Sequence, residues 1–193
     1  VENRILVIAD DFFGDNGEVA SHFSELLLCL ASDLSVQFVL PGPVLIPLES
    51  LLQRAPSDII GKQAGRIVLG LGLRELRLHQ KASVIFKTYQ VFLEELLSKT
   101  KAHLNLVTLP EEAFKEEILQ VTEWNQLLKT ISHPRITVLD FADRAAQFKE
   151  TQLQKGKFAR RLYSEDSRAT SLCHMLLGLF LQERILKEIK EIS

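Results

Sequence analysis

The chain is poor in the residues that staple small folds or hold metals: among 193 residues there are two cysteines, Cys29 and Cys173, and no Cys-x-x-Cys pair. Two thiols cannot build a zinc framework. Each sits in an apolar helical run, so buried reduced thiols are expected rather than a disulfide. Long apolar runs are missing too. The longest, 26–31 and 175–181, fall far short of the roughly 20 residues a membrane-spanning helix needs. Charge of one sign is not in excess. The formal net charge is -2 with Lys and Arg scattered among acids, so neither nucleic acid nor an anionic membrane is expected as a partner. No charged-then-apolar signal peptide opens the sequence. It begins at Val1 and its one methionine is Met175, so it is read as a processed or excised chain, with a cytoplasmic compartment favoured. Repeats, low-complexity tracts and linkers are absent, and 46% hydrophobic residues suffice for one core, so a single domain over 1–193 is expected.

What is present is an alternation. Apolar stretches without helical period at 5–9, 36–40, 66–70, 104–108 and 136–139 read as five buried strands, each followed closely by Asp, Pro or Gly. Helical spacing recurs between them. It covers 16–33 (Val19, Phe23, Leu26, Leu27 and Leu30 on one stripe), 46–54 with Pro56 beyond its end, 81–99 and 111–131. In 81–99 the residues Ile85, Tyr89, Phe92, Leu93 and Leu96 share one side. A short helix, a polar loop at 150–157 and a long helix over 169–191 finish the chain. Doubly buried strands joined by helical crossovers specify an α/β fold, a three-layer α/β/α sandwich around a five-stranded parallel sheet of flavodoxin-like kind. Reactive groups in such sheets gather beyond the carboxyl ends of the strands. The places to inspect are therefore Asp10-Asp11, 41–45, 72–75, Pro110, Asp140 and the loop before the last helix.

Those places, in that order, resemble the sequence blocks of the SGNH/GDSL hydrolase superfamily, from Arg4 to about Ile189. In the family the first strand ends in Gly-Asp-Ser with the serine as nucleophile; here Ala9-Asp10-Asp11 stands there. The oxyanion-hole glycine block corresponds to 41–45, which keeps Gly42. The Gly-x-Asn-Asp block falls within 67–76 and puts Arg74 where the oxyanion asparagine belongs. The closing Asp-x-x-His block corresponds to Asp166-Ser167-Arg168-Ala169, with Asp166 as the acid and Ala169 in place of the histidine. Cys173-His174 falls where a Gly-His pair often follows.

The resemblance implies a catalytic set that is not intact, its degenerate positions being Asp11, Gly42, Arg74, Asp166 and Ala169. Asp11 has no hydroxyl to deprotonate and Ala169 cannot accept a proton; losing the triad together removes on the order of a million-fold in turnover. The expectation is an SGNH-like domain inactive as a serine esterase, acting as a binding or scaffolding module. Two alternatives stay open. One is an esterase, lipase or acetylesterase of the same family. The other is an Asp-based or metal-assisted hydrolase in which Asp10, Asp11 and Asp166 assemble a Mg²⁺ site. His174 lies in an apolar helix and reads as a core or helix-face residue, and Cys173 beside it points about 100° away, too far round to pair with it. Candidate ligand contacts are Asp10, Asp11, Gly42, Arg74, Asp166 and Arg168, for a small acyl or carbohydrate ligand; a protein partner is the other possibility. No cofactor and no metal are expected, and oligomeric state is left open. Asp11 and Arg74, facing one pocket, are expected to pair as carboxylate and guanidinium.

Overall fold

The computed structural model describes residues 4–10, 37–39, 46–155, 161–164 and 169–186. Its strands are β1 (Arg4–Ala9), β2 (Gln37–Val39), β3 (Arg66–Gly70), β4 (His103–Val107) and β5 (Ile136–Leu139). They form one parallel sheet in the order β2-β1-β3-β4-β5. β1 is an interior strand, and its residues 5–9 are buried on both faces, as an unbroken apolar run requires. It pairs with β3 from Ile5 opposite Arg66 to Ala9 opposite Gly70. The Asp10 N–H then adds one bond to the Gly70 carbonyl at 2.9 Å. The two strands thus end flush. Because β1 has β2 on one side and β3 on the other, successive crossovers leave it in opposite directions and open a crevice at these ends.

The helices are α1 (Leu48–Asp58), α2 (Leu73–Arg77), α3 (Ala82–Lys99), α4 (Ile118–Lys129), α5 (Phe141–Gln154) and α6 (Ser171–Leu181), the last running into a wider turn at Gln182–Leu186. α3 packs on α1 and α4, and α5 packs on α6. The expected stripe of α3 is wholly buried: Ile85, Tyr89, Phe92, Leu93 and Leu96, joined by Ala82 and Phe86. Trp124 of α4 meets it edge-on, its ring centroid 6.2 Å from Phe86 and 5.2 Å from Tyr89. Phe141 and Phe180 join α5 to α6 with centroids 5.9 Å apart. Among the described residues no helix is long and apolar enough to cross a membrane.

Four expectations need correction. Pro56 lies inside α1, not beyond it. Its ring is exposed, and burial of Leu48, Leu51, Ala55 and Ile59 on the other side outweighs one missing backbone bond. The 111–131 helix is two pieces, a 3₁₀ turn at Glu111–Ala113 and then α4. Phe114 leaves helical geometry to enter the core, where it is fully buried. The loop around Gly72 contains the short helix α2. The helix after β5 is fourteen residues long and absorbs 150–154 of the expected polar loop. The expected helix at 16–33 lies outside the described residues.

Candidate active-site cleft

At the β1/β3 ends the chain builds a shallow cleft lined by Asp10, Ile46, Leu48, Leu51, Leu71, Gly72, Arg74 and Glu75. It holds about 210 Å³ with its open mouth, and its enclosed part is no larger than a water molecule. Asp10 is buried, and its Oδ2 accepts from the Leu73 N–H at 2.9 Å, joining β1 to the first turn of α2. Glu75 is buried on the same helix, and its Oε1 accepts from the Leu48 N–H at 2.9 Å, supplying the cap that Pro47 cannot give α1. Asp10 thus fastens the start of α2 to a strand end, and Glu75 fastens the start of α1 to α2.

Arg74 lies between them in sequence and space. It is half-buried, and its Nε is sealed from water with no hydrogen-bond partner among the described residues. Such a donor is costly to leave unmade, which marks Arg74 as the cleft's spare polar group. Gly72 forms the floor. Its φ of 111° is left-handed, and a Cβ there would stand 2.6 Å from Cζ2 of Trp124. The Gly-x-Asn-Asp spacing fits this segment in two frames, from Gly72 with Arg74 third, or from Gly70 with Gly72 third. Neither frame supplies an asparagine, and in the second the fully buried Trp124 indole fills the space a side chain would need. Beneath the cleft, burial foremost and the nearby Asp10 charge second push the Tyr89 phenol far above its ordinary range, so it stays protonated.

Of the other candidates, Ala169 is half-buried and bridges Tyr163 in an antiparallel pair just before Thr170, the N-cap of α6. Its methyl offers no base. His174 is half-buried one turn into α6, and its N–H donates to the Thr170 carbonyl at 3.0 Å. Cys173 is a buried free thiol that burial pushes up to about 12, an inert packing residue at neutral pH. Asp11, Gly42, Asp166 and Arg168 lie outside the described residues, as do Cys29 and the expected Asp11–Arg74 pair. Among the described residues no group of three His, Cys, Asp or Glu is placed to hold a metal.

A second polar knot closes the β4/β5 ends, which sequence reasoning marked only as Pro110 and Asp140. Thr108 donates to Asp140 Oδ1 at 3.0 Å and accepts from the Ala142 N–H at 2.9 Å. Burial works to raise the Asp140 carboxyl, but hydrogen bonds from Lys129, Thr108 and the Asp143 N–H outweigh it and hold the group below its usual range. Asn125 grips Leu109 from both sides, accepting from its N–H at 2.9 Å and donating to its carbonyl at 2.7 Å. Such contacts lock loops and leave no reactive group free.

The fold is that of the SGNH/GDSL hydrolases. A member of the lipolytic G-D-S-L protein family from Veillonella parvula superposes with a TM-score of 0.73 at 16% identity, covering 95% of this chain and 98% of its own. An acetyl xylan esterase gives 0.77 at 12% identity over 94% and 99%. A psychrotrophic esterase from Pseudoalteromonas gives 0.69 at 12% identity over 97% and 99%. No protein-family model matches the sequence, and no curated protein matches it. The shared feature is therefore the scaffold.

Proposed function

We propose that this SGNH-fold domain has lost serine-esterase chemistry and serves as a binding module, holding a small acyl or carbohydrate ligand at the β1/β3 cleft. The reading rests on Arg74 in the strand-end cleft, whose buried Nε has no hydrogen-bond partner among the described residues, and on the resemblance, which puts the methyl of Ala169 where the family has an imidazole. Arg74 can bind a carboxylate or an ester carbonyl oxygen through its planar donors, but it cannot take a proton from a nucleophile. Ile46, Leu48, Leu51 and Leu71 supply an apolar wall for a short acyl group. The further contacts in this reading are Asp10, Asp11, Gly42, Asp166 and Arg168.

A second reading is an enzyme, either an acetylesterase of the same family, for which the acetyl xylan esterase among the structural relatives speaks, or an Asp-based or metal-assisted hydrolase. Turnover of p-nitrophenyl acetate, measured with and without Mg²⁺ and alongside Asp11→Ala, separates the two. The binding reading expects no turnover in either condition. Turnover that Asp11→Ala abolishes would replace it with the enzyme reading. On the binding side, acetate and an acetylated xylo-oligosaccharide are titrated by NMR. Shifts at Leu71, Gly72 and Arg74 are expected for at least one of them, and no shift with either defeats the proposal.

A further inference from the structure

At the other end of the sheet, the segments that lead into and open β3, β4 and β5 carry Lys62 and Arg66, then Lys99, Lys101 and His103, then His133 and Arg135. The segments 59–66, 99–103 and 129–135 contain no acidic residue. The sheet register sets these side by side: Arg66 opposite His103, and Leu104 opposite Ile136 just after Arg135. Neighbouring strands lie about 4.8 Å apart, so the three rows form a strip on the order of 10 Å wide.

Part of this charge is structural. Arg135 donates to the Leu97 and Thr100 carbonyls at 2.6 and 2.7 Å, closing the end of α3. His103 shares a 2.8 Å bond with Thr137. Lys62, Lys99 and Lys101 are different. All three are exposed, and among the described residues none takes part in an ion pair.

We propose that this strip is a docking surface for an acidic segment of a partner protein. Three features select a peptide over other polyanions. The loops contain no Phe, Tyr or Trp on which bases could stack. None of the exposed large apolar side chains lies in them, so there is nothing to enter a bilayer. A strip this narrow matches one extended or helical segment, whereas a nucleic acid draws its affinity from a longer lattice of phosphates. The surface lies at the opposite end of the strands from the cleft, so a partner and a cleft ligand can be held together.

The test uses the full chain and a fluorescein-labelled oligoglutamate peptide, followed by anisotropy at low ionic strength. Binding is expected. It should weaken about tenfold or more in the variant Lys62→Glu/Lys99→Glu/Lys101→Glu, since three screened surface attractions become repulsions. The variant Lys81→Glu/Lys87→Glu/Lys115→Glu makes the same net-charge change at exposed lysines elsewhere, and should stay within about twofold. Circular dichroism confirms that both variants fold. Equal losses in the two variants, or no peptide binding, overturn the proposal. Tighter binding to duplex DNA or phosphatidylserine vesicles than to the peptide overturns it as well.

Discussion

Acids meet helix beginnings at the carboxyl end of the sheet, while bases meet helix and turn endings at the amino end. Asp10 accepts from Leu73, Glu75 from Leu48 and Asp140 from Asp143, each donor an N–H in the first turn of a helix. Opposite them, Arg4 donates to the Lys62 carbonyl at 2.6 Å, where a 3₁₀ turn closes, and Arg135 to the last carbonyls of α3. In a strand–helix–strand unit the helix runs back against its strands, so helix starts collect at one end of the sheet and helix stops at the other. Unpaired N–H groups and partial positive charge gather at the starts, carbonyls and partial negative charge at the stops. Much of the visible charge polarity therefore serves the fold. Among the described residues, charges that serve no such bond include Arg74 at one end, and Lys62, Lys99 and Lys101 at the other.

The sharpest break of this pattern is at the carboxyl end. Gly72→Ala puts a Cβ 2.6 Å from Trp124 on a backbone with φ of 111°, whereas Gly61→Ala, nearer the amino end, meets only the Pro56 carbonyl at 3.2 Å. Strain and overpacking together predict a loss of about 3 kcal/mol for Gly72→Ala. Gly61→Ala should cost under about 1 kcal/mol, since its neighbour need give by only a few tenths of an ångström. Urea denaturation reads both, and comparable losses would show that the cleft floor is not the tighter end. Next comes Asn125→Ala, which strips both partners from buried Leu109 and should cost about 2 kcal/mol in the same assay. At the amino end, Arg135→Met keeps much of the packing volume but abandons the Leu97 and Thr100 carbonyls, for about 1.5 kcal/mol, partly because water can reach them.

The core of both ends was legible in the sequence. Strands read as short apolar runs, doubly buried at Arg66–Gly70 and half-buried at the edge in Ile136–Leu139, and both match their expected limits residue for residue. The α3 stripe was visible because eighteen residues give helical period room to show. α2 was missed because five residues hold barely more than one turn. The rule of strand ends located the cleft and brought Asp10 and Arg74 together. It could not assign Glu75 its role, because the donor is the backbone of Leu48, a residue distant in sequence. Nor could it reveal Trp124 under Gly72, since that contact depends on how α4 packs rather than on any local signal.

Acid separates structural carboxylates from spare charge. The Asp140 carboxyl is held below its ordinary range in the folded chain, so its contribution is fully present above the unfolded value of about 3.9 and fades as pH falls through the lower folded value. The Asp140 side chain is about a third exposed and Lys129 about half, so screening limits the gain to under about 1 kcal/mol. Asp140→Asn should flatten the acid limb of a melting-temperature-versus-pH curve, while leaving Thr108 a carbonyl-type acceptor. An unchanged acid limb would mean that other carboxylates set it.

The smallest expected effect decides the most. Every polar side chain that fastens the cleft has a bond to lose; Arg74 has none among the described residues, and its buried Nε stands unsatisfied. Arg74→Gln should therefore shift stability by no more than about 0.5 kcal/mol in either direction, unlike any substitution that strips a buried bond. A structural arginine would behave as Arg135 does, with a clear loss on truncation. If Arg74→Gln destabilises by as much as Arg135→Met, the guanidinium is a fold element and the cleft has no spare polar group. If it leaves stability alone while removing the acetate-induced shifts at Gly72 and Leu71, the residue is retained for a ligand. The carboxyl end then differs from the amino end in kind, because there one of its charges would belong to a bound molecule rather than to a helix.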